Sequence, residues 1–323
     1  MMESRRGAHK SNHSFIFMLI AAAVIICMPY LVSMKDSPKE SELALGASAA
    51  VLMDLDTGKV LYEKNAYEAL PPASMSKMMT ELIVLDLANE GKLAWNELVL
   101  TSHYAAEVPG SQIGFDAGER YTVRELFEAM AVHSANDAAV ALAEHISGNE
   151  TAFVMLMNAR AARIGLSESA QFGNATGLTH EDLLAFPEAS AQRDTMISAK
   201  DTAVLAGHLL KKYPEILEVS KQSSVKLAST MKKLPSTNLM LSGMTFAYPG
   251  NDGLKTGYTV QAGYCFTGTA KQEGRRLVSV VMGASTPEQR FEETGKLFQY
   301  GFQESRLESW IGRIQSKLGI QVS

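Results

Sequence analysis

Residues 70–77 read Leu-Pro-Pro-Ala-Ser-Met-Ser-Lys, and an apolar stretch continues from them to residue 87. Two prolines interrupt the preceding chain, and the pattern after them predicts a helix that begins at Ser74. Ser74 and Lys77 would then lie on one face of that helix. A serine hydroxyl needs a base to take its proton, and a lysine kept neutral in an apolar pocket can be that base. The motif alone is also compatible with a surface pair, because Ser-x-x-Lys arises by chance about once in a chain of this length.

The stretches around this helix predict strands near both ends of the chain and helices between them. Residues 48–55 and 60–63 alternate like the two strands of a hairpin, and residues 263–270 and 277–283 form a second strand pair around a Glu-Gly turn. A strand-like stretch also covers residues 258–270 as a whole.

Helical spacing and capping signals fill the middle of the chain. Thr122 and Glu125 form a capping box, Ser198 with Asp201 caps a helix that runs to about residue 212, and residues 136–146, 150–164 and 287–302 have helical patterns. The order of elements predicts an α+β fold, an antiparallel sheet flanked by helices with an inserted helical lobe, in which the first hairpin lies beside the last strands.

A second motif, Ser134-Ala135-Asn136, falls where two helical patterns meet. Its hydroxyl can relay a proton, and the asparagine amide can hold a substrate carbonyl or the lysine. Taken alone, the motif is more typical of a helix cap, where serine and asparagine are favoured.

A third motif, Lys255-Thr256-Gly257, precedes the strand-like stretch that begins at Tyr258. Lysine supplies a cation, threonine a hydroxyl, and glycine lets a substrate backbone lie close to the strand edge. A charged pocket with a hydroxyl suits a substrate carboxylate, although a simple turn before a strand gives the same pattern.

The three motifs occur together in the order that penicillin-binding proteins and β-lactamases share. Over residues 47 to about 302 the chain resembles the D-alanyl-D-alanine carboxypeptidases, low-molecular-mass penicillin-binding proteins of the S11 serine-peptidase type. The resemblance implies a β-lactamase/penicillin-binding transpeptidase-like fold. Beyond the three motifs it rests on Asp56-Thr57-Gly58, Leu61-Tyr62, Leu70-Pro71-Pro72-Ala73-Ser74, Gly110-Ser111, Asn136-Asp137-Ala138, Ala143-Glu144-His145-Ile146, Gly177-Leu178, Thr237-Asn238, Gly253-Leu254-Lys255-Thr256-Gly257, Gly283-Ala284, Arg290-Phe291 and Lys296-Leu297.

The resemblance implies a role for each motif residue. Ser74 would be the acyl-ester nucleophile and Lys77 its proton acceptor, with Ser134 as the proton relay. The residues implied to bind the substrate are Asn136, Lys255, Thr256, Gly257, Tyr258 and Arg290. Backbone N–H groups of Ser74 and Tyr258 would form the oxyanion hole. Arg290 is a candidate second contact for the substrate carboxylate, with a bare surface arginine as the alternative.

The implied reaction removes the terminal D-alanine from peptidoglycan stem peptides. Ser74 attacks the carbonyl of the D-Ala–D-Ala bond, and water then hydrolyses the acyl-enzyme. Penicillins, which mimic the dipeptide, would acylate the same serine as covalent inhibitors. No metal and no cofactor are required. In one departure from the family, the middle motif has alanine where glycine is common, a mild change.

The N-terminus has the pattern of a membrane anchor or signal peptide. Basic residues precede an uncharged apolar run at residues 15–32, which is just long enough to cross a bilayer. We expect residues 1–34 to be a retained anchor, with a cleaved signal peptide as the alternative, because no small-x-small site follows the run closely. We expect residues 35–46 to form a linker to a catalytic domain at 47–302 on the outer face of the bacterial membrane.

Only about twenty residues follow Phe302, with an amphipathic pattern that predicts a further helix at 303–323. Many relatives carry a β-rich second domain there, which we expect to be absent.

Composition restricts the remaining possibilities. The net charge of −5 offers no basic surface for nucleic acid. Cys27 and Cys265 are the only cysteines, and their surroundings predict neither a disulfide nor a zinc site, but a buried structural thiol for Cys265.

Three other activities remain open. A D,D-endopeptidase of cross-linked peptidoglycan would use the same residues. A serine β-lactamase of class A needs a Glu-x-x-Leu-Asn loop, whereas the nearest string, at residues 181–185, lacks the asparagine. A protein that binds wall peptide or β-lactam without turnover is the third alternative.

Overall fold

A computed structural model describes residues 43–190 and 193–317, with side chains as far as residue 303. The predicted membrane segment, Cys27 and most of the predicted linker lie outside these residues. Among the described residues, no helix combines the length and apolarity that a membrane crossing requires.

Eleven strands are present in the described residues, and five of them form the main sheet. The strands are β1 Ala49–Asp54, β2 Val60–Lys64, β3 Ala69–Leu70, β4 Leu98–Leu100, β5 Arg120–Thr122, β6 Ile197–Ser198, β7 Ser224–Lys226, β8 Lys233–Pro235, β9 Asn251–Thr259, β10 Gly263–Gln272 and β11 Arg275–Ala284. The main sheet has the order β2-β1-β11-β10-β9. Its pairs are antiparallel, and β1 lies beside β11 with Ala49 opposite Met282. The predicted sheet, with the first hairpin next to the last strands, is confirmed.

Most helices lie in the chain between β2 and β9. The α-helices are α1 Lys77–Asn89, α2 His103–Glu107, α3 Val123–His133, α4 Asn136–Ser147, α5 Glu150–Arg163, α6 His180–Leu183, α7 Ala199–Lys212, α8 Ile216–Ser220 and α9 Gln289–Lys317. The predicted capping box of α3 is confirmed, because Thr122 and Glu125 each accept a hydrogen bond from the other's backbone N–H. Ser198 likewise caps α7 by accepting from the backbone N–H of Asp201 at 3.0 Å.

The strand β1 separates two apolar cores. Successive side chains of a strand point to opposite faces of the sheet. Val51 and Met53 accordingly join the core formed with the helical lobe, whereas Ala50 and Leu52 pack in the core formed with α9. Burying a large apolar side chain stabilises a fold by about 1.5–3 kcal/mol. A strand that is buried on both faces therefore stabilises the packing of the sheet against the helical lobe on one side and against α9 on the other.

Four details differ from the sequence predictions. Ser74 lies in a 3-10 turn, Ala73–Ser76, and α1 begins only at Lys77. Ala73 has a positive φ of 48°, which is incompatible with an α-helical start and is followed by a tighter turn.

The Lys-Thr-Gly motif lies inside β9 rather than ahead of a strand, and residues 260–262 form a turn within the stretch 258–270 that was predicted as continuous. Gly263, with a φ of 65°, permits this turn. The helix predicted to end near residue 302 continues to Lys317, since no proline interrupts residues 303–317.

Candidate active site

Ser74 and Lys77 meet where the 3-10 turn passes into α1. The Nζ atom of Lys77 lies 2.8 Å from the Oγ atom of Ser74. The Lys77 side chain is fully buried, and its Nζ also lies 2.6 Å from Oδ1 of Asn136 and 2.7 Å from the carbonyl oxygen of Thr176. The sequence-predicted nucleophile and base are therefore brought together, with two further polar partners on the same amine.

The partners of Lys77 match the hydrogens and the lone pair of a neutral amine. A neutral amine has two N–H donors and one lone pair. A carbonyl oxygen can only accept, so the Thr176 carbonyl takes one N–H. The Asn136 amide nitrogen donates to the carbonyl oxygen of Pro109 at 2.6 Å, so the amide oxygen faces Lys77 and takes the other N–H. The lone pair then remains for the Ser74 hydroxyl proton, which is the arrangement of a general base.

The electrostatic surroundings of Lys77 also favour its neutral form. Burial lowers the pKa of Lys77 well below its ordinary value, and the charge of Lys255 lowers it further. The carboxylates of Glu81 and Asp137 oppose this decrease. The lowered pKa favours the neutral form of Lys77.

The loop between α3 and α4 places Ser134 and Asn136. Ser134 ends α3 in the left-handed conformation, with a φ of 66°, and is almost fully buried. The backbone N–H of Asn136 donates to the carbonyl oxygen of Ser111 at 2.7 Å, and the Ser111 hydroxyl donates to the carbonyl oxygen of His133 at 2.8 Å. These two bonds hold the loop beside Lys77, as the motif predicts.

Strand β9 forms the opposite wall of the site. A Cβ atom placed on Gly257 would lie 2.6 Å from the Pro72 carbonyl oxygen and 3.2 Å from the Ser74 nitrogen. Only glycine therefore allows β9 to approach the 3-10 turn this closely. Lys255 precedes Gly257 by two residues, on the same face of the strand, and is 1% exposed.

The other predicted contacts lie along the same strand and on α9. The hydroxyls of Thr256 and Thr237 are 2.6 Å apart. Arg290 donates from Nη1 to the Gly257 carbonyl oxygen at 3.2 Å, and its guanidinium lies 5.5 Å from the ring centre of Tyr264. Tyr258 is 50% exposed and stacks on Tyr264, with 4.3 Å between ring centres. Arg290 is thus held against β9 and is not a bare surface residue.

Three residues of the site had no predicted role. Thr176 supplies a carbonyl oxygen to Lys77, Thr237 contacts Thr256, and Glu81 is a buried carboxylate one helical turn after Lys77. Backbone partners such as the Thr176 carbonyl leave no pattern in a sequence. Glu81 does leave one, because it is an acid at the centre of an apolar helical stretch.

The described residues contain no cluster of three or more His, Cys, Asp or Glu side chains that could hold a metal ion. Cys265 is free and fully buried, as predicted.

The general base of this site follows the nucleophile by three residues, whereas the Ser-His-Asp hydrolases use a histidine from another segment. With the Lys-Thr-Gly strand as the facing wall, this arrangement defines the class of penicillin-binding serine enzymes. A family model described as D-alanyl-D-alanine carboxypeptidase, Peptidase_S11, matches residues 35–286. The chain therefore belongs to the D-alanyl-D-alanine carboxypeptidase family.

Relatives and solved structures agree with this family. The chain is 39% identical over 308 residues to the D-alanyl-D-alanine carboxypeptidase DacF of Bacillus subtilis. The match covers 94% of this chain and 75% of DacF. It is 34% identical to DacC of Escherichia coli over 80% of this chain, and it spans 62% of the length of DacC.

Two solved structures show the same fold. Penicillin-binding protein D2 of Listeria monocytogenes, in its ampicillin-bound form, is 35% identical with a TM-score of 0.69, and the match covers 81% of this chain and 99% of that one. PBP3 of Streptococcus pneumoniae is 37% identical with a TM-score of 0.75, over 80% of this chain and 73% of that one. The family, the fold class and the enzyme class, a serine-type carboxypeptidase, are as predicted from the sequence.

Proposed function

We propose that the chain removes the terminal D-alanine from peptidoglycan stem peptides through an acyl-enzyme on Ser74. The observation that carries the proposal is the 2.8 Å contact between the Ser74 hydroxyl and a buried Lys77 amine whose two N–H groups have fixed acceptors. This contact supplies an activated nucleophile without a histidine or a metal ion.

In the first step the Ser74 oxygen forms a bond to the carbonyl carbon, and the bond to the D-alanine nitrogen breaks. Lys77 takes the hydroxyl proton, and Ser134 passes a proton to the leaving amine. Water then cleaves the acyl-enzyme and regenerates the Ser74 hydroxyl. Backbone N–H groups of Ser74 and Tyr258 stabilise the oxyanion in both steps.

Substrate binding uses strand β9. This strand lies at the end of the main sheet, so its outer edge can pair with an extended peptide. Thr256, Lys255 and Arg290 gather a hydroxyl and two cations near Gly257, and these groups bind the terminal carboxylate of the stem peptide. Asn136 contacts the peptide from the opposite wall.

The same site accepts β-lactams as covalent inhibitors, because their acyl and carboxylate groups correspond to those of the dipeptide. Peptidoglycan lies outside the cytoplasmic membrane, and the N-terminal segment anchors the enzyme there. Glu181, from the string considered for a β-lactamase, is exposed on α6 and gives no support to that alternative.

The test is D-alanine release from diacetyl-Lys-D-Ala-D-Ala by the full-length chain in detergent. A matched S74A variant should release none and should bind no fluorescent penicillin. Labelling of Ser74 without D-alanine release would contradict the carboxypeptidase activity. Cleavage of dimeric muropeptides in place of the pentapeptide would identify an endopeptidase.

A further inference from the structure

Glu81 is a buried acid that the reaction described above does not use. Its side chain is 2% exposed, and within the described part of the chain its Oε1 atom is buried with no hydrogen-bond partner. A buried carboxylate without hydrogen bonds is costly, and such groups are retained where a nearby opposite charge compensates them.

The groups that can compensate the Glu81 charge are the two lysines of the site. Lys77 and Glu81 are four residues apart in α1 and lie on one face of the helix. Gly257 faces the 3-10 turn that leads into α1, so Lys255, two residues earlier on the same face of β9, faces the beginning of α1. All three side chains are at most 2% exposed. Two buried amines and one buried carboxylate therefore lie close enough to interact electrostatically.

The two lysines differ in their hydrogen bonds. Lys77 has three partners within 2.8 Å, and one of them is the Ser74 hydroxyl, whose proton a neutral amine can accept. In the described residues Lys255 has one hydrogen bond, at 3.3 Å to the carbonyl oxygen of Thr256. An ammonium with so few acceptors needs a nearby anion to remain charged.

The other charged groups around this space do not replace Glu81. The Asp137 carboxylate, on α4, already accepts hydrogen bonds from the backbone N–H groups of Ile113, Gly114 and Ala138. Arg290, on α9, is a cation that disfavours a charge on Lys255.

We propose that Glu81 is a positioning residue whose carboxylate keeps the proton on Lys255, so that Lys255 is the cation for the substrate carboxylate and Lys77 is the neutral base. The proposal rests on the function proposed above and assigns the protonation states within that same site.

The pKa shifts agree with this geometry. Burial lowers the pKa of Lys255 to about 8, and the Glu81 charge opposes the decrease. Burial raises the pKa of Glu81 to about 7, and the charges of Lys255 and Lys77 oppose that rise. Above about pH 7, therefore, Glu81 is ionised and holds Lys255 protonated until about pH 8.

The test compares pH profiles of the parent, E81Q and the matched control E144Q. Glu144 also has a buried carboxylate oxygen without a partner, but its electrostatic neighbours are Ser102 and Glu188 and not the two lysines. The readouts are kcat and KM for D-alanine release and the rate of Ser74 acylation by penicillin, each between pH 6 and 10.

Below about pH 7 the parent carries a protonated Glu81, so parent and E81Q should converge near pH 6. Above this pH, E81Q should lose activity earlier, with its alkaline limb moved down by about one pH unit. This shift corresponds to a roughly fivefold loss at pH 8, mainly through KM. E144Q should follow the parent, and E81D should return the limb towards the parent value.

An E81Q profile that is lowered equally at all pH values, with an unchanged alkaline limb, would overturn the proposal and leave Glu81 a packing role. If E81Q does not fold, E81M removes the same charge, and the position of the alkaline limb in its pH profile provides the same test. If the parent releases no D-alanine but is acylated by penicillin, the proposed function fails, and the acylation profile alone decides the role of Glu81.

Discussion

The amide oxygen of Asn136 lies 2.6 Å from the Nζ atom of Lys77, and the two residues come from different helices 59 positions apart. The amide nitrogen of the same side chain is fixed by the Pro109 carbonyl oxygen. The asparagine can therefore present only its acceptor to the lysine, and it fixes the Lys77 amine beside the Ser74 hydroxyl.

We expect N136A to slow Ser74 acylation by roughly thirtyfold, since loss of a buried hydrogen-bond partner costs about 2 kcal/mol. Stopped-flow measurement of acylation by a chromogenic cephalosporin checks this. The control is N158A, because Asn158 likewise joins separate backbone segments, bonding Val154 and Phe172. N158A should lose stability but keep its acylation rate, and equal rates for N136A and N158A would contradict the role of Asn136.

A second expectation concerns the Thr256 hydroxyl, which is 2.6 Å from that of Thr237. T256V keeps the shape but removes the hydroxyl that we propose as a donor to the substrate carboxylate, so KM should rise about tenfold with little change in kcat. Steady-state kinetics on the tripeptide provide the measurement. T269V removes a hydroxyl that donates instead to the Leu277 carbonyl oxygen, and its KM should stay at the parent value. A lower kcat with an unchanged KM in T256V would argue against a carboxylate contact.

Gly257 gives a steric prediction. A methyl group there would meet the Pro72 carbonyl oxygen at 2.6 Å, and both sides of the contact are backbone. G257A should therefore push β9 away from Ser74 and reduce acylation at least a hundredfold, a change typical of a misplacement of about 1 Å. G295A is the matched control, since a Cβ on Gly295 has no neighbour within 4 Å. It should be fully active, and it should be more stable because alanine favours a helix. Normal acylation by G257A would show that β9 can move without consequence.

Asp86 carries a prediction about stability. It is buried and pairs with Arg160 and Lys212 at 2.8 and 2.7 Å. Burial raises its pKa, but the hydrogen bonds from Lys212 and Tyr213 and the charge of Arg160 outweigh burial, so that the pKa lies below its ordinary value. A lowered carboxyl pKa contributes stability that is present above the unfolded value and is lost as the pH falls through the folded one.

We therefore expect D86N to lower the free energy of unfolding by about 2 kcal/mol at pH 7, because Arg160 and Lys212 lose the anion with which they pair. The difference from the parent should shrink as the pH falls below the unfolded pKa of 3.8. Urea denaturation at pH 7 and pH 3 measures both effects, with D116N, an exposed aspartate, as the control. A difference that is the same at both pH values would exclude the charge as its cause.

Local signals in the sequence predicted the parts of the fold that depend on neighbouring residues. The capping box of Thr122 and Glu125 predicted the start of α3, because both partners lie within one turn. The position of Ser134 between two helices was predicted for the same reason. The 3-10 turn at Ser74 was not, since it depends on the positive φ of Ala73, and alanine gives no sign of that conformation.

Long-range contacts of the site could not be predicted in the same way. The three motifs and the resemblance identified Ser74, Lys77 and Lys255, but the Thr176 carbonyl lies 99 residues from Lys77 and is a backbone group that every residue possesses. Glu81 was visible only as an acid in an apolar helix. Its relation to Lys255 requires knowing that β9 passes against the turn before α1.

The pairing of β1 with β11 also determines when the domain can fold. The partner of Ala49 is Met282, so an early strand of an exported chain waits for more than two hundred residues before its neighbour arrives. Contacts so distant in sequence make folding slow, and β1 carries an unpaired apolar edge until then. A chain truncated before β11 would lack the central strand of the sheet, and its first hairpin would keep an unpaired edge open to aggregation.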